Sequence, residues 1–406
     1  MNINLITLTS SLHNKNKALI KEAESFIDEI NNELMDEDIL LAKDAKDSPI
    51  DAVFIASGGS EAAFKKIVKD LTTPFILFSS NKNNSLASCF EIKSYCAQIS
   101  HPCCFLTGKL EEITLALKHV SNVVMAKEKI TNSNLGLIGG SSSWLIASEV
   151  SKKEIYDAYK INLVHIKMDE LYSLIELKEI DTTHKRYSEL VKKYKDKETL
   201  SMALNIYSAL KKLVKKYDLK GLTIRCFDLL KKYKNTACLA LAMLNEEGIV
   251  SACEGDVPSL ITMYLLYTLT NRPSFMANVS EINLQDLSVI LAHCTVPLNM
   301  VNKYELLTHF ESDLGIGVKG ELSEGEVSIL KISKKFGVND NLLIAGKIKE
   351  SLSLPGFCRT QIRVQLDEGS MYSLLKENVG NHVIVTYSDV LPDFYPLLNL
   401  FKNSEL

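Results

Sequence analysis

The side chains best suited to chemistry cluster between Cys253 and His293. Glu254 and Asp256 lie in CEGDV, at the end of a β-type run and immediately ahead of an apolar helix. A carboxylate at the carboxyl end of a strand faces the crevice in which ligands of α/β sheets bind. Helix N-capping is the competing role, and it suits Asp256 well and Glu254 poorly. Asn278 stands polar among apolar neighbours in SFMANV, and His293 ends a further β-type run in LAHCT. Later segments add His309 and Glu311 in THFES, Arg359, Thr360 and Gln361 in FCRTQ, and His382 in GNHVIV, while Arg225 ends a strand in TIRCF. Such groups can hold ligand hydroxyls, and Arg359 an anionic substituent. Each also has a purely structural reading; for His382 it is a strand histidine hydrogen-bonded in the core.

The elements that must carry these residues follow from apolar patterning. Strand-type runs over residues 2–8, 51–56 and 74–78 alternate with helical patterns over 15–34, 62–71 and 110–119. A second series starts at LGLIGGSSSWL from Leu135 and continues with strands over 163–166 and 222–226 and helices over 236–245 and 256–270. Alternating strands and helices imply mostly parallel sheets covered on both faces. Beyond about residue 285 the pattern becomes closely spaced strands over 287–291, 315–318, 327–332, 342–348, 361–366 and 382–386, as in a small antiparallel barrel or sandwich. The expected domains are 1–132, 133–285 with the CEGD motif, and a β-rich 286–406.

Composition narrows the function classes. The 406 residues, 46% hydrophobic and 24% charged, suit two or three globular domains. A net charge of −4 gives no cause to expect a polyanionic partner. The segment 181–235 carries 15 Lys and Arg against six acidic residues with interleaved Tyr, which reads better as a solvated helix face than as a nucleic-acid surface. The nine scattered cysteines, including adjacent Cys103 and Cys104, suit a reducing compartment and form no spaced metal clip. The first ten residues lack a signal-peptide pattern. The longest apolar stretch, Val257–Leu269, falls short of the ~20 residues needed to span a bilayer, so a cytoplasmic location without membrane contact is expected. Gly58-Gly59-Ser60 and Gly139-Gly140-Ser141 complete no nucleotide-binding fingerprint and can equally be tight turns.

The run ACLALAMLNEEGIVSACEGDVPSLITMYLL (Ala237–Leu266), followed by RPSFMANV and VILAHCTVP, resembles the core of the L-fucose/L-arabinose isomerase superfamily, especially its shorter fucose-isomerase-like members. The likeness spans roughly residues 220–390 by motif. It implies two Rossmann-like domains ahead of a β-rich barrel-like domain, and a homo-oligomer in which a neighbouring subunit closes the site. It also implies a divalent metal, usually Mn²⁺, bound at the base of a crevice, where an aldose and a ketose are interconverted through an enediol. On this resemblance the metal-binding Glu falls on Glu254, the second carboxylate on Asn278, and the histidines on His293 and His382. Asp256 and Glu254 are the proton-carrying candidates, with Glu281 and Glu311 as further acids. Asn278 is the departure: an amide oxygen can approach a metal but brings no charge and is no general base. An epimerase or lyase on the same site, or a non-catalytic sugar-binding protein on a degenerate scaffold, therefore stay open as alternatives.

Overall fold

The computed structural model describes residues 1–12, 16–337, 340–377 and 379–402. The chain forms two compact units, residues 1–128 with the segment from Pro392 onward, and residues 129–391.

In the first unit β1 (Asn2–Leu8), α1 (Lys17–Leu34), β2 (Leu40–Ala42), β3 (Asp51–Ile55), α2 (Glu61–Ile67), β4 (Phe75–Ser79), α3 (Ser85–Gln98), β5 (Cys103–Leu106) and α4 (Leu110–Ile130) follow in order. The sheet runs β2-β1-β3-β4-β5, all parallel, the doubly wound arrangement that the strand–helix alternation predicts. β3 and β4 are buried along their whole length because helices cover both faces, which is why they read as unbroken apolar runs. Asn16 caps α1, accepting from the backbone N–H groups of Ala18 and Leu19. Lys15, where the helical pattern begins in the sequence, lies outside the described residues.

The second unit opens with another parallel sheet. It contains β6 (Asn134–Ile138), α5 (Lys152–Tyr159), β7 (Asn162–Ile166), α6 (Met168–Glu176), α7 (Tyr187–Lys193), α8 (Lys197–Tyr217), β8 (Leu219–Ile224), α9 (Phe227–Tyr233), α10 (Cys238–Glu246), β9 (Val250–Ala252) and α11 (Val257–Thr270). The strand order is β7-β6-β8-β9. The lysines of α8 lie on a solvated face, where Lys211 pairs with Asp181 and Glu247 and Lys216 with Glu170, while Leu204, Tyr207 and Leu210 point inward. α10 is buried all round, and α11 along most of its length, as their nearly uniform apolarity requires. α11 packs between β8 and β9 on one side and barrel strands on the other.

Those barrel strands are β10 (Phe275–Asn283), β11 (Ser288–His293), β14 (Gly325–Lys331), β15 (Leu342–Ser351), β16 (Thr360–Gln365) and β17 (His382–Thr386), closed in the order β10-β11-β16-β15-β14-β17. Closure leaves no unpaired edge in the barrel. A hairpin of β12 (Lys303–Leu307) and β13 (Gly317–Glu321) is tied to it by Thr360, whose hydroxyl donates to Val318 O at 2.8 Å and accepts from Gly320 N at 3.0 Å. α12 (Glu368–Lys376) precedes β17, and α13 (Leu391–Phe401) ends the described chain. No helix among the described residues is long and apolar enough to cross a membrane.

Candidate metal centre

Glu254 sits on the turn from β9 into α11, and that turn has an unusual backbone. Glu254 and Gly255 are both left-handed, with φ of 63° and 72°. A non-glycine residue in this region is strained and persists only where its surroundings over-determine it. Here they do. Ser142 N donates to Glu254 O at 3.0 Å, and the Ser141 hydroxyl donates to Gly255 O at 2.9 Å. The Gly139-Gly140-Ser141 turn after β6 is thus the clamp that seats the Glu254 turn. Trp144, the only tryptophan in the chain, completes the clamp by donating its indole N–H to Glu254 Oε2 at 2.7 Å.

The other carboxylate oxygen, Oε1, faces two imidazoles. His293 Nε2 lies 3.8 Å away and His382 Nε2 3.7 Å away. His293 ends β11 and His382 begins β17, the two strands flanking β10, so closing the barrel brings them to one rim. Each ring is oriented through its far nitrogen. His293 Nδ1 is 3.0 Å from the Thr295 hydroxyl, and His382 Nδ1 donates to Asp256 Oδ2 at 2.9 Å. Both Nε2 atoms are thereby aimed at Glu254. The ligand atoms of Glu254, His293 and His382 all lie within 4.8 Å of one another, the one such group found among the described residues.

This donor set fits a divalent metal. One carboxylate and two imidazoles, each imidazole fixed by a partner on its other nitrogen, match transition-metal chemistry. Burial pushes the His293 pKa down to about 3, and the neighbouring His382 adds to the shift, so its ring is a neutral donor at physiological pH. Burial alone would raise Glu254, but the attraction of His382 and His293 and the Trp144 hydrogen bond outweigh it and hold the acid at about 2. His382 is also desolvated, but Asp256 and Glu254 overcome this and raise its pKa. Its proton must leave before Nε2 can ligate. Metal affinity is therefore expected to fall as pH drops through this raised pKa, by about tenfold per pH unit for one displaced proton. Calorimetric Mn²⁺ titrations at several pH values test this, and a flat profile between pH 8 and 6 would contradict it.

Asp256 is fully buried and caps α11, accepting from Ser259 N at 2.9 Å and from the Ser259 hydroxyl at 2.8 Å. Its Oδ2 also receives His382 Nδ1 and the ammonium of Lys331, 2.8 Å away. Burial would raise its pKa, but Lys331 and His382 more than offset this and keep it well below the usual carboxylate range. Asn278 lies directly opposite His382 in the β10–β17 ladder, and its Oδ1 accepts from Asn381 at 3.0 Å.

The remaining predicted residues fall into two sets. His309 lies near the metal group. Its ring meets Phe227 edge-on at 5.6 Å, Phe227 meets Trp144 at 4.8 Å, and the charges of Glu254 and Arg359 both act on it. Arg359 is held by Thr308, donating from Nε to the carbonyl at 2.6 Å and from Nη2 to the hydroxyl at 3.0 Å. Glu311 is exposed on the same loop as His309; partial desolvation and then the negative charge of Glu254 raise its pKa. Thr360 and Gln361 have their polar atoms spent on the backbone, Thr360 as described above and Gln361 on Leu354 and Cys358. Arg225 pairs with Asp228 at 2.7 Å and lines a hollow beyond the ends of β6 and β7 with Gly140, His165 and Lys167. Trp144, Thr295 and Lys331 were not singled out in the sequence. Only Trp144 carried a signal there, as the lone tryptophan next to a glycine turn.

No family model matches the chain. Two parallel α/β layers, a closed barrel and a Glu/His/His group at its rim agree with the architecture that the resemblance to the L-fucose/L-arabinose isomerase superfamily implies, and the chain is similar to curated relatives over up to three quarters of its length. Those relatives are sulfoquinovose isomerases. The one from Alkalicoccus urumqiensis is 23% identical over 327 residues, 75% of this chain and 71% of the relative. The one from Priestia aryabhattai is 23% identical over 306 residues, 71% of this chain and 68% of the relative. A third, from Clostridium sp. (strain MSTE9), is 25% identical over 210 residues, 49% of this chain and 46% of the relative.

Proposed function

We propose that the chain is a metal-assisted aldose–ketose isomerase acting on a small sugar through an enediol, working in the cytoplasm as a homo-oligomer with Mn²⁺ as its metal. The observation that carries this reading is the convergence of Glu254 Oε1 with the Nε2 atoms of His293 and His382. The relatives' shared name supports the reaction class and points to a sulfonated sugar. When bound, a divalent cation supplies a Lewis acid that acidifies the C–H beside the sugar carbonyl and favours negative charge on the adjoining oxygens.

The protein's own residues then divide the work. Glu254, ionised throughout the working pH range, serves as a ligand, with His293 and His382 as neutral donors. A second carboxylate takes the proton from C2 of the open-chain aldose and returns it to C1, while the hydroxyl proton passes from O2 to O1 and the ketose results. Asp256 has both oxygens engaged, Oδ1 by Ser259 N and Oδ2 by the Ser259 hydroxyl, Lys331 and His382. Glu311, whose raised pKa moves it toward the working pH, suits the proton transfer best. Arg359, pre-oriented by Thr308, is placed to receive an anionic substituent on the sugar. Arg225 and His309 complete the substrate contacts in this reading, and Thr360 and Gln361 support the loops that carry them.

The test is elemental analysis of the purified protein combined with product analysis after incubation with sulfoquinovose and Mn²⁺. About one metal per chain and a ketose product are expected. Glu311→Gln should keep the metal and lose about 10²–10⁴-fold in turnover. A metal-free protein that forms no ketose would sink the reading. An epimer or a cleaved product would assign the same site to another reaction, as the uncharged Asn278 permits.

A further inference from the structure

Lys331 ends β14 and is 1% exposed, in contact with Asp256 and the Ser259 hydroxyl, and among the described residues Asp256 is its one ion-pair partner. Removing an ammonium from water costs several kcal/mol, and replacing a buried ion pair by apolar residues of similar size is often neutral or stabilising. Stability therefore does not explain a lysine here. What its position does explain is the orientation of His382. Asp256 Oδ2 is the atom that receives both Lys331 Nζ and His382 Nδ1, and Lys331 also reaches the Ser259 hydroxyl that bonds the same oxygen. β14 pairs with β17, which carries His382, so lysine and histidine approach the carboxylate from adjacent strands.

We propose that Lys331 is a positioning residue of the metal centre: its ammonium fixes the Asp256 carboxylate so that Oδ2 accepts His382 Nδ1 and the ring presents Nε2 to the metal. This rests on the reading that Glu254, His293 and His382 hold a metal. Lys331 touches neither substrate nor metal and acts through Asp256. Partners that orient a ligating histidine typically account for about 10–100-fold in metal affinity.

The experiment is a double-mutant cycle on Mn²⁺ affinity, read by electron paramagnetic resonance of free Mn²⁺, with wild type, Lys331→Met, Asp256→Asn and the double variant. Lys331→Met is expected to weaken binding about 10–100-fold. On the Asp256→Asn background the same change should alter affinity by less than about twofold, because the group it acts through is already gone. If Lys331→Met does not fold, Lys331→Gln, which keeps an N–H donor but brings no charge to Asp256, takes its place both against the wild type and in the comparison with Asp256→Asn. A loss of tenfold or more in that comparison would overturn the proposal, as would unchanged affinity in Lys331→Met with only its melting temperature lowered. Absence of Mn²⁺ binding by the wild type would overturn the metal reading and this assignment together, whereas wild-type binding with either of the other results overturns this assignment alone.

Discussion

Glu254→Gln is expected to fold like the wild type, lose its metal and lose essentially all turnover. Glutamine is isosteric and fits the left-handed position as well as glutamate does, so the clamp from Ser142 and Ser141 stays in place. What disappears is the single negative charge that faces both Nε2 atoms. Asn278 supplies no second one. A Lewis acid at such a site contributes several kcal/mol of transition-state stabilisation, which corresponds to a loss of at least about 10²–10³-fold in kcat/KM. Metal analysis, circular dichroism and an isomerase assay on the same sample test this together. Substantial isomerase activity in Glu254→Gln would show the assignment to be wrong. Acid stability offers a second readout. With its pKa lowered from 4.5 to about 2, Glu254 contributes stability that is fully present above pH 4.5 and is lost as pH falls toward 2. Its contribution to acid unfolding in that window should be missing from the variant.

Gly255→Ala should do the largest structural damage of any single methyl group added at the site. A Cβ there would lie 2.3 Å from Gly140 O and 2.7 Å from Ser141 Cα, and both are backbone atoms that cannot swing aside. The left-handed φ of 72° costs alanine about 1–2 kcal/mol, and overpacking adds about 1–3 kcal/mol. A loss of about 2–5 kcal/mol is therefore expected in denaturant titrations. Because the clash pushes apart the two loops that seat Glu254, Mn²⁺ affinity should fall as well. Gly356→Ala is the control. Its φ is 87°, but nothing lies within 4 Å of the added carbon, so only the conformational cost of about 1–2 kcal/mol applies and metal binding should not change. Equal losses in the two variants would mean that contact with Gly140 is not what holds the turn.

Local pattern in the sequence determined a good deal of this protein. The strand–helix alternation, the buried apolar helix at 257–270 and the strands ending or beginning at His293 and His382 all appear where periodicity placed them. Such signals are local: an apolar run, an N-cap aspartate and a turn glycine act within a few residues. The strands β2 and β12 escaped this reading, β2 because three residues are too few to show alternation and β12 because Lys303 and Glu305 break up its apolar run. The site depended on longer reach. Trp144 meets Glu254 across 110 positions, His382 meets Asp256 across 126, and Lys331 meets Asp256 across 75. No periodicity encodes those distances; they arise when the barrel closes in an order different from that of the chain and the carboxyl ends of β6 and β9 meet at its rim. A lysine at the end of a strand reads as a solvated terminus, and only the packing of α11 against β14 and β17 turns Lys331 into a buried cation. The ligand types were therefore written in the sequence, while their convergence, protonation and support were decided by tertiary packing, because desolvation and charge pairing exist only once distant segments exclude water together.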